Sequence, residues 1–247
     1  MSTPPDERSD RPKRTRSFDA LLTLARPLLL ISFALYQLEV RRNLYPRDAR
    51  PPAFAGVDPV RLLFIGDVAV SGHGVLSHGL TVVTRTAERI AIDSGRGSSW
   101  SIVAAPDLTM AALVARPALG AEGVEVAYVA LGIPDVLLIT RPERWARDLD
   151  TVVHRIQSES GLRACRVIVS GIAPLSDFRP IRPAVRRIIN SQVDRLNAAS
   201  LEVAERVPGV TFAPFPTWRI GDMFVKQSFS WRSMHDAWAE TLAAAPR

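Results

Sequence analysis

The 247-residue chain has a single cysteine, Cys165, so no internal disulfide can form, and it has no CxxC or Cys/His cluster at metal-ligand spacing. Neither a structural metal nor a thiol redox pair is expected. It also lacks GxGxxG and a Gly-Lys-Ser/Thr end: SGHGVLSHG at 71–79 is glycine-rich but has neither spacing, so a phosphate cradle and a nucleotide cofactor are set aside. Lysine is nearly absent, with only Lys13 and Lys226 among 31 basic residues. The net charge is +6, yet arginines alternate with acids and form no long stripe, which argues against nucleic acid as a partner. No long apolar run is present either. The longest uncharged stretch of the leucine-rich region lies between Arg26 and Glu39 and holds 12 residues, short of the roughly 20 that span a bilayer. No small-x-small cleavage site follows it, so a cytoplasmic protein, at most peripheral to the membrane, is expected.

What remains is ordinary globular usage, 47% hydrophobic and 23% charged, long enough for one α/β domain and an appendage. Residues 1–17 are polar, basic and poor in large apolar groups, so no fixed structure is expected of them. Residues 18–42 read as an apolar helix interrupted at Pro27. Two readings stay open for it: packing on the domain or a partner, or lying in an anionic membrane interface held by the arginines of residues 11–42. Residues 43–60 read as a Pro-rich linker.

From residue 61 apolar runs and helical periodicities alternate. RLLFIG, SSWSIVAA, VEVAYVALG, RVIVSG and GVTFAPF read as five strands. Helices are expected over about 79–92, over 106–116 opened by Pro106 and Asp107, after Pro142, and near 231–244. Trp145, Leu149, Val152 and Ile156 share one helical face, as do Val185, Ile189, Leu196 and Val203 on a further long helix. The pattern predicts a three-layer α/β/α domain over 61–247 around a parallel five-stranded, flavodoxin-like sheet. Any site should lie where strands end, at Gly66, Ala105, Gly132 and Gly171.

FIGDVAVSG after the first strand resembles the GDS-x₃-Gly block of the SGNH (GDSL-like) esterases and lipases, matched at Gly66, Asp67 and Gly72. LGIPD after the third strand is similar to that family's GxND, matched at Gly132 and Asp135. The order of units, including Arg-Pro-x-x-Trp at 141–145, looks like actinobacterial members and extends the resemblance over about 60–243. The resemblance implies a cleft lined by Gly66, Asp67, Gly132 and Asp135. It places the family's nucleophilic serine on Val68, its oxyanion glycine on Asp107, its oxyanion asparagine on Pro134, and its acid and histidine on Gln227 and Ser230. None of the five side chains can do the family's chemistry.

The resemblance therefore implies a pseudoenzyme: an esterase frame that binds a small acyl or ester-like ligand or a protein, or serves as a scaffold. The alternative is an esterase with displaced groups, Ser71 as nucleophile and His235, beside Asp236, as base. In the plainer reading Ser71 starts a helix, His73 and His78 are loop groups, and His235 lies on the surface of the last helix. A third possibility makes residues 11–42 a membrane-surface adaptor and the domain its stable body. Trp231, next to the vacated base position, could fill the former cleft.

Overall fold

The computed structural model describes residues 31, 33–49, 53–174, 183–217, 224–225 and 228–245. The basic tail at 1–17 and the beginning of the apolar helix lie outside them, as does Gln227. Helix α1 (residues 33–42) leads into an irregular segment, 43–49, and a two-residue strand, β1 (Ala53–Phe54). The α/β body follows as β2 (Val60–Gly66), α2 (Val82–Ser94), β3 (Ser98–Ala104), α3 (Met110–Val114), β4 (Val126–Ala130), α4 (Ile133–Leu137), α5 (Pro142–Ser160), β5 (Arg166–Ser170), α6 (Pro183–Arg206) and β6 (Val210–Ala213). A small hairpin, β7 (Phe224–Val225) and β8 (Ser228–Phe229), precedes the last helix, α7 (Trp231–Ala244).

The large sheet runs β1-β3-β2-β4-β5-β6, with β1 antiparallel and all other pairs parallel. Without β1 the order is the flavodoxin-like 2-1-3-4-5, so the five expected strands and their direction stand. The sixth strand corrects the reading of 43–60 as a linker: Ala53 and Phe54 pair with Ser99 and Ser98. Phe54 also stacks on Trp100 at 5.5 Å, which supplies the apolar contact a Pro-rich stretch did not advertise.

Alternation along each strand divides the core in two. Leu63, Ile65, Ala127, Val129, Val167 and Val169 face the layer containing α5 and α6. Leu62, Phe64, Val126, Tyr128 and Ile168 face α2 and α7. The expected stripe Trp145, Leu149, Val152 and Ile156 is buried throughout, as are Ile189, Leu196 and Val203, while Val185 is half-buried. Local stops agree with the chemistry: Gly95 and Gly161 end α2 and α5 at φ 66° and 67°, and Pro142 opens α5. Helix α3 is shorter than the expected 106–116. Its cap is Thr109, whose hydroxyl accepts the Ala112 N–H, and Pro106 and Asp107 remain in the preceding turn.

Candidate functional site

In this topology β3 and β4 leave β2 on opposite sides, which makes the carboxyl end of β2 the switch point where ligands usually bind. The chain turns sharply there. Ser71, Gly72 and His73 donate backbone N–H groups to the carbonyls of Asp67, Ala69 and Val68 at 3.0, 2.9 and 3.1 Å. Gly66 is obligatory, since a Cβ at that position would sit 2.3 Å from the Ala130 carbonyl oxygen.

Two aspartates hold the strand ends together. Asp67 Oδ2 accepts the Gly132 and Ile133 N–H groups at 2.9 and 3.0 Å, joining the loop after β2 to that after β4. Burial pushes its carboxyl up to about 7, outweighing the N–H donors that favour the carboxylate. Asp135 accepts the Met110 N–H on Oδ2 at 2.9 Å and the Thr140 hydroxyl on Oδ1 at 2.6 Å, tying α4 to α3. Burial raises this carboxyl as well. Gly132 lies at φ 145°, with Ile172 where a Cβ would be. Gly66, Asp67, Gly132 and Asp135, the residues expected to line a cleft, are all buried, and the two aspartates use their lone pairs on backbone amides and, at Asp135, on the Thr140 hydroxyl.

The positions that the resemblance assigns to chemistry are equally occupied by structure. Val68 is 8% exposed and belongs to a core cluster with Tyr36, Val40, Leu108 and Ile133. Pro134 is buried in the first turn of α4. Asp107 is half-buried and accepts from Gln37 Nε2 at 3.0 Å. Ser230 caps α7, its hydroxyl accepting the Ser233 N–H at 3.2 Å.

The displaced pair, Ser71 and His235, is not brought into a hydrogen bond. Ser71 Oγ donates to the Asp67 carbonyl at 3.0 Å. His235 is fully buried, a correction to its expected surface position, because α7 lays this face against α2. Its Nδ1 accepts the Val82 N–H at 3.1 Å and its Nε2 donates to the His73 carbonyl at 3.0 Å, which fixes the neutral tautomer and occupies both nitrogens. Burial pushes the ring down to about 4. Asp236 turns away to Arg85, 3.2 Å distant.

What the sequence did not locate is where the helix and the segment after it pack, which is across this end of the sheet. Phe33, Tyr36, Gln37 and Val40, spaced three, one and three along α1, face inward. Tyr36 donates its hydroxyl to the Pro106 carbonyl at 2.7 Å, beside the Gln37–Asp107 bond. The following segment continues across the loop after β2. Leu44 accepts the Gly74 N–H at 3.0 Å, and Asp48 accepts the Ser77 hydroxyl at 2.7 Å and the His78 N–H at 2.8 Å.

Between these anchors the His73 ring lies edge-on to Tyr45 at 5.9 Å and to Trp231 at 4.6 Å. Trp231 thus packs against the Gly72–Gly74 loop, its ring lying where a Cβ on Gly74 would be. The Tyr45 hydroxyl is buried without a hydrogen-bond partner among the described residues. Burial, then the Asp67 and Asp107 charges, push it up to about 12. Of the two readings left open for this helix, packing on the domain holds for its inner face: the 33-36-37-40 stripe combines two aromatics with an amide, unlike the leucines on the opposite side.

Among the described residues no group of three or more His, Cys, Asp or Glu side chains is placed to hold a metal ion, and no helix is long and apolar enough to cross a membrane. No family model and no curated protein matches the chain. Solved structures do. The lipase Lip_vut3 from a goat rumen metagenome aligns with a TM-score of 0.59 at 12% identity, over 76% of this chain and 99% of its own. A protein described as a GDSL-like lipase from Parabacteroides merdae aligns with a TM-score of 0.57 at 13% identity, over 77% and 99%. TesA aligns with a TM-score of 0.52 at 20% identity, over 73% and 94%. At these identities the likeness establishes the fold, an α/β sandwich of the kind found in SGNH hydrolases.

Proposed function

We propose that this chain is a pseudoenzyme: a binding or scaffold protein, without ester hydrolysis, built on an SGNH-hydrolase-like frame. The observation that carries the reading is Val68, a buried aliphatic side chain at the position the resemblance gives the family's nucleophile, within the core cluster that also holds Tyr36 and Val40. Removal of a whole triad leaves a residual rate of about 10³–10⁴ over water only while an oxyanion hole and substrate binding survive. Here the oxyanion positions hold Asp107 and Pro134, and loss of one donor alone costs about 10²–10³. A carboxylate at that point opposes the charge that develops on an acyl oxygen. With the mouth covered by the chain's own residues 33–48, the outer surface is a better candidate for binding than the covered pocket.

Purified full-length protein is expected to hydrolyse p-nitrophenyl acetate no faster than a buffer blank and to take no label from a fluorophosphonate probe. Labelling abolished by Ser71→Ala or His235→Gln would replace this reading with that of an esterase using displaced groups.

A further inference from the structure

Helix α1 has two faces, and only one is used by the domain. Ile31, Leu35 and Leu38, spaced four and three apart, are 60%, 60% and 48% exposed, and Leu44 just beyond the helix is 55% exposed. Arg42 continues the stripe and Arg41 borders it. Both are exposed, and among the described residues neither forms an ion pair. Glu39 is the only acidic residue between 31 and 44.

The charge of the whole chain points to the same place. Residues 11–50 contain nine Arg or Lys against three Asp or Glu, a net of +6 that equals the formal charge of all 247 residues. The remainder of the protein is close to neutral overall, so the basic character belongs to this region and not to the α/β body. Leucines at 21, 22, 24 and 28–30 precede α1 in the sequence and continue its apolar composition.

We infer that the outer face of α1 docks this protein on an anionic lipid surface. Leucines at helical spacing enter the boundary between headgroups and acyl chains, while the flanking arginines engage lipid phosphates. A soluble protein partner would have to match both a narrow leucine stripe and a diffuse excess of arginine spread over forty residues. An anionic bilayer matches both without a shaped counterpart. In this arrangement the covered strand ends face the membrane, and the exposed surfaces of α5, α6 and α7 remain available to other molecules. The inference does not depend on whether the domain hydrolyses esters.

The experiment is flotation of the full-length chain with vesicles of 30% phosphatidylglycerol in phosphatidylcholine, against pure phosphatidylcholine. Binding to the anionic vesicles is expected, at least tenfold weaker to the neutral ones and weakened by raising NaCl from 0.05 to 0.5 M. Arg41→Gln with Arg42→Gln should lower partitioning about 30-fold. Leu35→Ser with Leu38→Ser should abolish it while leaving the melting temperature unchanged, since both side chains point away from the domain. Equal binding to both vesicle types, no binding to either, retained binding by the leucine variant, or a dimer by light scattering that the leucine variant dissolves would each overturn the inference, the last by assigning the stripe to a second copy of the chain.

Discussion

Asp67 and His235 are both shut away from water, and burial moves them in opposite directions along the pH scale. Asp67 is held up at about 7, against an ordinary carboxyl value near 4. Its contribution to stability is therefore complete below about pH 4 and lost as pH rises through 7. His235 is held down at about 4, so its contribution is complete above pH 6.5 and lost as pH falls through 4. Each shift is worth on the order of 3 kcal/mol at full expression. Between pH 4.5 and 7.5 the stability advantage of wild type over Asp67→Asn should shrink, and the advantage over His235→Gln should grow. Urea unfolding at both pH values reads the two differences, and parallel curves for wild type and either variant would refute the assignment for that residue. The asparagine keeps an oxygen for the Gly132 and Ile133 amides and the glutamine one for the Val82 amide, so the variants isolate titration from hydrogen bonding.

At the scale of elements, α1 is joined to the body by apolar packing on one face only. Tyr36 and Val40 are 6% and 4% exposed, so Tyr36→Ala should cost about 3 kcal/mol and Tyr36→Ala with Val40→Ala about 4–5 kcal/mol in thermal or urea unfolding. Leu35→Ala, one residue away on the opposite face, should cost under about 0.5 kcal/mol. Equal costs on both faces would show that the helix is not seated as described. The same element shows how far the sequence could be read. Strands β2 to β6 and helix α5 were legible because long periodic runs and Pro or Gly punctuation decide them locally. Strand β1 was not: two residues make no period, and their pairing with β3 is recognised only when Trp100 is already in place opposite Phe54. Asp67 and Asp135 were legible as residues at strand ends through the GDV and GIPD strings. Their use on backbone amides was not, because the partners are 65 and 25 residues away in sequence. His235 was misread as exposed for a similar reason. A polar residue in an amphipathic helix defaults to the water side unless its partners, here Val82 and His73, are known.

For the molecule as a whole, the proposed reading leaves one question: whether the strand ends only lack the reactive groups that the resemblance would place there or are also closed. The two conditions separate in a restoration experiment. Val68→Ser, Pro134→Asn and Ser230→His together return a nucleophile, an amide donor and a base to the positions the resemblance assigns. If the frame were only stripped, this triple variant would take a fluorophosphonate label. The packing argues otherwise: a hydroxyl at 68 would replace a buried aliphatic group of the core cluster that also holds Tyr36, Val40 and Leu108, and the Asp107 carboxylate, hydrogen-bonded by Gln37, remains near the position the resemblance gives an oxyanion donor. The triple variant is therefore expected to stay unlabelled. Labelling should first appear when Tyr36→Ala and Asp107→Gly are added, which remove a bulky covering side chain and the opposing charge. Labelling of the triple variant alone would mean that residues 33–48 do not obstruct the strand ends, and that the proposed lack of hydrolysis rests on residue identity only.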